Sequence, residues 1–540
     1  MAKWIMCFAT VNFDVDQGPT LSLVYPHVPF SDSERAAICF SSMPDSTIYE
    51  LYDSVYTFHF RVDPVRLGLP KDQIFLYGHV FFRQKRDPLM RRGGFQRSVA
   101  IISHLPYHGL FTRMAHMLGP LYFDLGTAIL EAAAHNISSW PAPTPGASLE
   151  LPFVGTALTA ELPANDSSQL LETSKFPLER FDPGEHILAS VTCDGLFRSF
   201  RDTLGDLWAC WELMILGESL VVLADTPARC SEAIVSLVDI IFPITYCGDY
   251  RPYFTIQDPD FRAIISKTHV PANMVVGVSN PFFSEAMAHW PHKLFLGSSD
   301  RMSQMHGASA RKARVLGDSG LGAGGAKDGG SGFASDSGSG PSGAGNRAIK
   351  QGLQSKRKSV ITKDRPFAEH LLNTLKTGKQ PPWIVNNMLR RYFIDLTVQF
   401  LAPLNRYFST LIPQVASATV IPVSGTTTTS GSSGTHRVAP WHRGHRKGQS
   451  SSSSSSIGGM ISSPDSLSWF TAPAPLRPWR TGDFMTSLTT LGISPQLSHR
   501  NKSATPANII VSAFSANSAN GTGSGSPSSS GGNHGAGSSS

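Results

Sequence analysis

Apolar residues in the first 140 positions come in short blocks separated by turn residues. Residues 4–13 and 20–25 flank an Asp-Val-Asp-Gln-Gly turn, which predicts a β-hairpin. Ser31 followed by Glu34 has the spacing of a capping box, so a short helix is expected through Phe40. Residues 55–61, 74–84 and 96–104 then read as three strands, and 106–118 as an amphipathic helix carrying Leu110, Met114, Met117 and Leu118 on one face. Hairpin, helix, meander and helix make a compact α+β unit ending near Trp140.

Beyond it the pattern changes. Residues 140–152 are Pro-rich, and a polar linker is expected over 141–186, with at most a short strand near 149–154. A second unit is expected over 187–297. Its helices are read at 207–216, 230–241 and about 259–265, and its strands at 219–224, 244–247 and 275–279. Strands alternating with helices imply a mostly parallel sheet covered on both faces. Residues 298–360 read as a disordered linker, being Gly/Ser/Ala-rich over 298–345. Helices of a third region are expected over 361–413, where Leu389, Phe393, Leu396, Phe400, Leu404 and Leu411 recur near helical spacing, with Pro403 predicted to kink or break the helix. Residues 414–463 are again low in complexity, 464–502 hold a short apolar island assigned to the same region, and 503–540 form a polar tail.

Composition narrows the function classes. With 46 basic and 40 acidic residues the net charge is +6, and the basic residues scatter apart from short runs at 83–97, 350–358 and 436–447, so no nucleic-acid partner is expected. The six cysteines include no C-x-x-C pair, which points to buried thiols rather than a disulfide framework. The first 16 residues lack the shape of a signal peptide. No apolar stretch approaches the roughly 18 residues of a membrane helix, so a soluble chain is expected.

Candidate chemistry is sparse. Residues 322–330 (Gly-Ala-Gly-Gly-Ala-Lys-Asp-Gly-Gly) fail as a phosphate loop, because Asp follows the lysine where magnesium binding needs Ser or Thr. His436, His442 and His445 lie in a Ser-flanked basic segment without Cys or carboxylate neighbours, so no metal or cofactor is expected. Neither a G-x-S-x-G nor an H-E-x-x-H motif occurs. Arg83, Lys85, Arg86, Arg91, Arg92 and Arg97 surround one turn; they form either a solvated hairpin or a contact for an acidic protein surface or membrane. Residues 249–258 place Tyr250, Tyr253 and Phe254 around Arg251 near expected strand ends, a mixture that suits a protein interface or the cap of a core.

Several segments, in order, resemble the DENN-domain-containing-protein-6 family: 81–107, 140–146, 207–227, 236–258, 275–292 and 389–413. The most specific are Trp-Glu-Leu-Met-Ile-Leu-Gly-Glu-Ser-Leu-Val-Val and Tyr-Arg-Pro-Tyr-Phe-Thr-Ile. The resemblance covers about 1–300 well and 365–500 in patches. It implies an upstream longin-like module (1–140), an α/β core module (187–297) and a helical downstream region. It also implies a regulatory guanine-nucleotide exchange factor for a Rab-family GTPase, with no covalent chemistry of its own. Such a protein would be cytoplasmic and recruited to endosomal recycling membranes. The alternative is a DENN-fold scaffold that binds a small GTPase or membrane without promoting exchange. Since the family's GTPase sits across the first two modules, contact candidates are Tyr250, Arg251, Tyr253, Asn280, Phe282 and Phe283, with Arg83 and Arg91 on the first module.

Overall fold

The computed structural model describes residues 1–45, 53–86, 94–164, 181–297, 350–378, 380–412 and 480–491. Two units are distinguished. Among the described residues, those up to 400 form one, and 401–412 with 480–491 belong to the other. The low-complexity stretches 298–345, 414–463 and 503–540 lie outside the described residues.

The first sheet contains β1 (Cys7–Asp14), β2 (Gly18–Tyr25), β3 (Ser54–Arg61), β4 (Phe75–Arg86) and β5 (Gly94–Ser103), in the order β2-β1-β5-β4-β3 and antiparallel throughout. Both faces of its β1, β3, β4 and β5 strands are largely buried, which is why they read as apolar blocks rather than as strict alternation. Along β5, Val99 and Ile101 enter one core while Ala100 and Ile102 enter another. Helix α1 (Asp32–Ser41) starts at the expected capping box: the Glu34 carboxylate accepts from Ser31 N at 2.8 Å, and Ser31 Oγ accepts from Glu34 N at 3.4 Å. Helix α2 (His108–Leu125) runs past the expected end and through Pro120. Burial of Leu118 and Tyr122 on either side opposes the roughly 3 kcal/mol that an interior proline costs. Helix α3 (Ala128–Ser138) was not anticipated; it packs with α2 on the same face of the sheet.

The expected linker over 141–186 is corrected in its described part, where a strand forms close to the one expected near 149–154 and two more join it. Strands β6 (Ser148–Phe153), β7 (Thr156–Glu161) and β8 (His186–Leu188) form a third sheet, and Leu151, Phe153, Leu158 and Ala160 are buried against α2 and α3. Two tryptophans fasten this hairpin. Trp4 Nε1 donates to Pro141 O at 2.7 Å and Trp140 Nε1 to Pro152 O at 2.8 Å, with the two rings edge to face at 5.3 Å. The prolines therefore supply carbonyl acceptors in a packed segment.

Next come α4 (Gly195–Phe200), a 3-10 turn (Arg201–Asp206), α5 (Leu207–Ile215), β9 (Leu220–Ala224) and α6 (Pro227–Asp239). After α6 the chain forms β10 (Asp249–Arg251), α7 (Phe261–Ile264), β11 (Met274–Val278), α8 (Phe282–Ala286) and β12 (His292–Leu296). The core sheet has the order β10-β11-β9-β12-β13, parallel except for β13 (Gly352–Ser355). Residues 352–355, expected within a disordered linker, are thus an antiparallel edge strand on β12. The strand expected at 244–247 is replaced by β10, whose three residues are too few to leave a periodic trace; Ile244 and Tyr246 instead pack on the core from a turn.

Alternate residues of β9 face opposite sides: Leu220 and Val222 join the core shared with the first sheet, while Val221 and Leu223 join an aromatic cluster with Phe254, Phe283 and Trp290. The shared core runs from Cys7, Phe58 and Val80 of the first sheet, through Trp208 of α5 and Ile234 of α6, to Val275 and Leu294 of the second sheet. Helix α9 (Arg365–Lys376) and helix α10 (Pro382–Leu411) add Phe367, Leu371, Val385 and Phe393 to it. Helix α10 continues through Pro403 rather than ending there. In the other unit, Tyr407 Oη donates to Arg480 O at 3.0 Å, just before α11 (Thr481–Leu491).

Candidate functional site

The junction between the first sheet and the core module gathers most of the expected contact residues, though burial separates those that can touch a partner from those that cannot. Tyr253 sits behind it. Its hydroxyl accepts from Asp45 N at 2.5 Å and its ring meets Tyr56 of β3 at 5.1 Å. It is 2% exposed, and burial followed by the charge of Asp45 pushes its phenol far above the ordinary range. Asn280, at the C-terminal end of β11, donates from Nδ2 to Asp45 Oδ1 at 2.8 Å and accepts from Phe282 N at 3.0 Å. Asp45 Oδ2 also accepts from Ile256 N at 3.3 Å. Burial raises the Asp45 carboxyl above its ordinary value, against the lowering effect of Asn280 and Ile256.

Arg251 is a brace. Its side chain is 4% exposed and donates to Asp260 Oδ2 at 2.6 Å and Asp249 Oδ2 at 3.3 Å. Its guanidinium lies 5.4 Å from the centre of the Phe75 ring. Arg61 of β3 shares both acids, at 3.1 Å from Asp249 and 3.6 Å from Asp260. This quartet ties the edge strand of the first sheet to that of the core sheet. Tyr250 is half-buried against His59, with ring centres 4.7 Å apart. Phe283 is fully buried between Phe254 and Phe261.

Arg251, Tyr253 and Phe283 therefore reach no partner surface in this conformation; they support the surface from beneath. Phe282 is different. It is 42% exposed, stacked on Phe261 at 6.2 Å, and held by the Asn280 turn. On the first module, Arg83 makes a fork to Asp53, with Nε and one terminal nitrogen each 2.6 Å from a carboxylate oxygen, over the Phe123 ring at 4.6 Å. Its charge is already matched. Arg91 lies outside the described residues.

A second polar chain crosses the same junction deeper in. Thr57 Oγ1 of β3 lies 3.2 Å from His79 Nδ1 and 3.0 Å from His108 Nδ1, and His108 Nε2 lies 3.2 Å from Glu232 Oε2 on α6. Thr192 Oγ1 donates to Glu232 Oε1, and Arg198 lies 3.6 Å from Oε2. Burial raises the Glu232 carboxyl, but the charges of His108 and Arg198 and the bond from Thr192 outweigh it and hold the group at about 2. Burial, then the charge of His108, holds His79 well below the usual imidazole range. Thr57, His108 and Glu232 have the residue types of a hydroxyl-imidazole-carboxylate relay, yet Thr57 is 2% exposed and no substrate reaches its oxygen. The chain is an internal polar seam. Glu232 and His108 lie 124 residues apart, so no spacing rule announces the pair. Asp249 and Asp260, in contrast, lie within two and nine residues of Arg251 along the chain.

No family model matches the chain. Relatives do. Over 436 residues it is 32% identical to Protein DENND6B of Homo sapiens, covering 77% of this chain and 70% of that protein. It is 33% identical to Protein DENND6A of Gallus gallus over 434 residues, 76% of this chain and 69% of the relative. To the Protein DENND6 homolog of Dictyostelium discoideum the identity is 30% over 476 residues, covering 76% and 62%. Together with its mixed helices and sheets, similarity of that extent means that the chain belongs to the DENN domain-containing protein 6 family.

Proposed function

We propose that the chain is a guanine-nucleotide exchange factor for a Rab-family GTPase, acting at endosomal recycling membranes. In this reading the first sheet with α1–α3 is the longin-like module, and the GTPase lies across it and the core module. Exchange needs no acid or base. A Rab holds its nucleotide through switch loops ordered by magnesium and phosphate contacts. A partner that binds the displaced loops more tightly weakens nucleotide binding by the same coupling energy. Such a partner must be rigid, because a surface that yields to the GTPase spends its binding energy on its own rearrangement. The observation that carries the reading is the continuous core joining both sheets, reinforced at the rim by the Arg61–Asp249–Arg251–Asp260 quartet. Phe282, projecting from the strand-end turn fixed by Asn280, is the anchor this platform offers.

The test is nucleotide release. Rab proteins loaded with a fluorescent GDP analogue are mixed with the full chain and excess GTP. Acceleration of at least tenfold on one Rab supports the reading. Capture of a GDP-loaded Rab without acceleration would make the chain a scaffold instead.

A further inference from the structure

The segment that leads from β13 to α9 is strapped to α5 by one carboxylate. Glu212 Oε2 accepts from Ser359 Oγ at 2.6 Å, from Val360 N at 2.9 Å and from Ile361 N at 3.0 Å. Its other oxygen accepts from Val360 N at 3.2 Å and faces Arg357 Nε at 3.6 Å. Tethers on either side are weaker or more exposed: Asp206 takes Leu353 N at 2.9 Å and Lys363 Nζ at 3.4 Å. Glu212 thus holds the chain where it enters the downstream helices.

Ser359 is exposed, and the three residues before it are Lys356, Arg357 and Lys358. Basic side chains preceding an accessible hydroxyl fit the acidic substrate groove of one class of protein kinase, since charge pattern is a main determinant of such recognition. We propose that Ser359 is a phosphorylation site for a basophilic serine/threonine kinase, and that the phosphate releases the 357–363 strap from Glu212. In the transfer, Ser359 Oγ attacks the γ-phosphorus of magnesium-ATP. The Oγ–P bond forms, the bond from phosphorus to the β-γ bridging oxygen breaks, ADP departs, and the hydroxyl proton passes to the kinase base.

The consequence follows from charge. The serine donor is exchanged for a group carrying about −1.5 to −2 charges and only acceptor oxygens. It would stand against a carboxylate that already accepts four hydrogen bonds, Val360 N serving both oxygens. Arg357 and its lysine neighbours then have a better anion than Glu212, and the strap leaves with them.

The experiment needs no GTPase. The full chain is incubated with magnesium-ATP and the catalytic subunit of cAMP-dependent protein kinase, phosphate is located by mass spectrometry, and hydrogen exchange is followed over 353–363. The expected result is phosphate on Ser359 and exchange at the Val360 and Ile361 amides at least tenfold faster. Ser359→Glu should reproduce the acceleration without kinase. Ser359→Ala, which loses the hydrogen bond but adds no charge, should stay within about threefold of wild type. Absence of phosphate at Ser359, or equal exchange in Ser359→Glu and Ser359→Ala, overturns the proposal.

Discussion

Asn280, at the end of a core strand, donates its side-chain amide to Asp45 at 2.8 Å, and so fixes the chain leaving α1 to the turn that displays Phe282. One amide thereby serves two modules: Nδ2 holds Asp45 and Oδ1 holds the Phe282 backbone. Replacing Asn280 with Ala leaves Asp45 with one donor fewer in a site that already disfavours its charge. The expected cost is roughly 1–3 kcal/mol, seen as a lower denaturant midpoint. An unchanged midpoint would mean that water replaces the amide fully.

Phe282 and Arg251 separate surface from support. Phe282→Ala should leave stability within about 0.5 kcal/mol while slowing the proposed Rab exchange at least tenfold, since an anchor worth roughly 2 kcal/mol exceeds the 1.4 kcal/mol of a tenfold change. Arg251→Ala should instead cost roughly 1–3 kcal/mol of stability, because it removes a buried guanidinium from Asp249 and Asp260, which keep Arg61 and partly reach water. Parallel melting and exchange measurements on both variants decide; an Arg251→Ala protein with wild-type melting would place that side chain elsewhere.

Stability should fall as the solution is acidified below about pH 6.5. Burial, with the charge of His108, depresses His79, and burial with the charges of Arg251 and Arg61 depresses His59. An unfolded chain protonates both near the ordinary imidazole value, whereas the folded chain keeps them neutral. The unfolded state therefore binds more protons below that pH, and each histidine removes up to roughly 1.4 kcal/mol per pH unit. Melting temperatures from pH 7.5 to 5.5 should show this slope, and His79→Gln should flatten it. A variant as steep as wild type would exonerate His79.

Glu232 adds a second acid step lower down. Its folded value of about 2 lies below the carboxylate reference of 4.5. The stability it contributes is thus complete above about pH 4.5 and lost as pH falls toward 2. A Glu232→Gln variant should be less stable than wild type at pH 7, with the gap closing as the solution approaches pH 2. A gap independent of pH would show that shape rather than charge makes the difference.

Gly109 admits no side chain. A Cβ there would run into the carbonyl oxygens of Leu188 and Val191, while the next amide, Leu110 N, donates to Ala189 O at 3.2 Å. Gly109→Ala should cost roughly 1–3 kcal/mol as overpacking against backbone. Gly126→Ala, where nothing lies near the added carbon but φ is +71° with ψ −149°, should lose stability through backbone strain alone, by roughly 1–3 kcal/mol. A negligible loss at Gly109 would show that the α2–β8 contact yields easily.

The sequence by itself determined the elements with strong local signals. The 14–18 turn, the Ser31–Glu34 box and the apolar blocks of β4, β5, β9 and β11 encode local geometry, and each formed close to where its pattern stood. It also pointed to the family, because a run such as 207–227 combines α5, a turn and β9 in one stretch. Tertiary structure alone decided the rest. The 148–161 hairpin is short and rich in small and polar residues; it is ordered because Trp4 and Trp140 reach across to Pro141 and Pro152. Strand β13 has four residues and exists because β12 pairs with it and Glu212 holds the chain that follows it. Among the contact candidates, Phe282 and Phe283 are adjacent and chemically identical, and only packing sends one to solvent and the other into the Phe254–Phe261 cluster. Burial is a property of what surrounds a side chain, and those surroundings come from residues far away in the sequence.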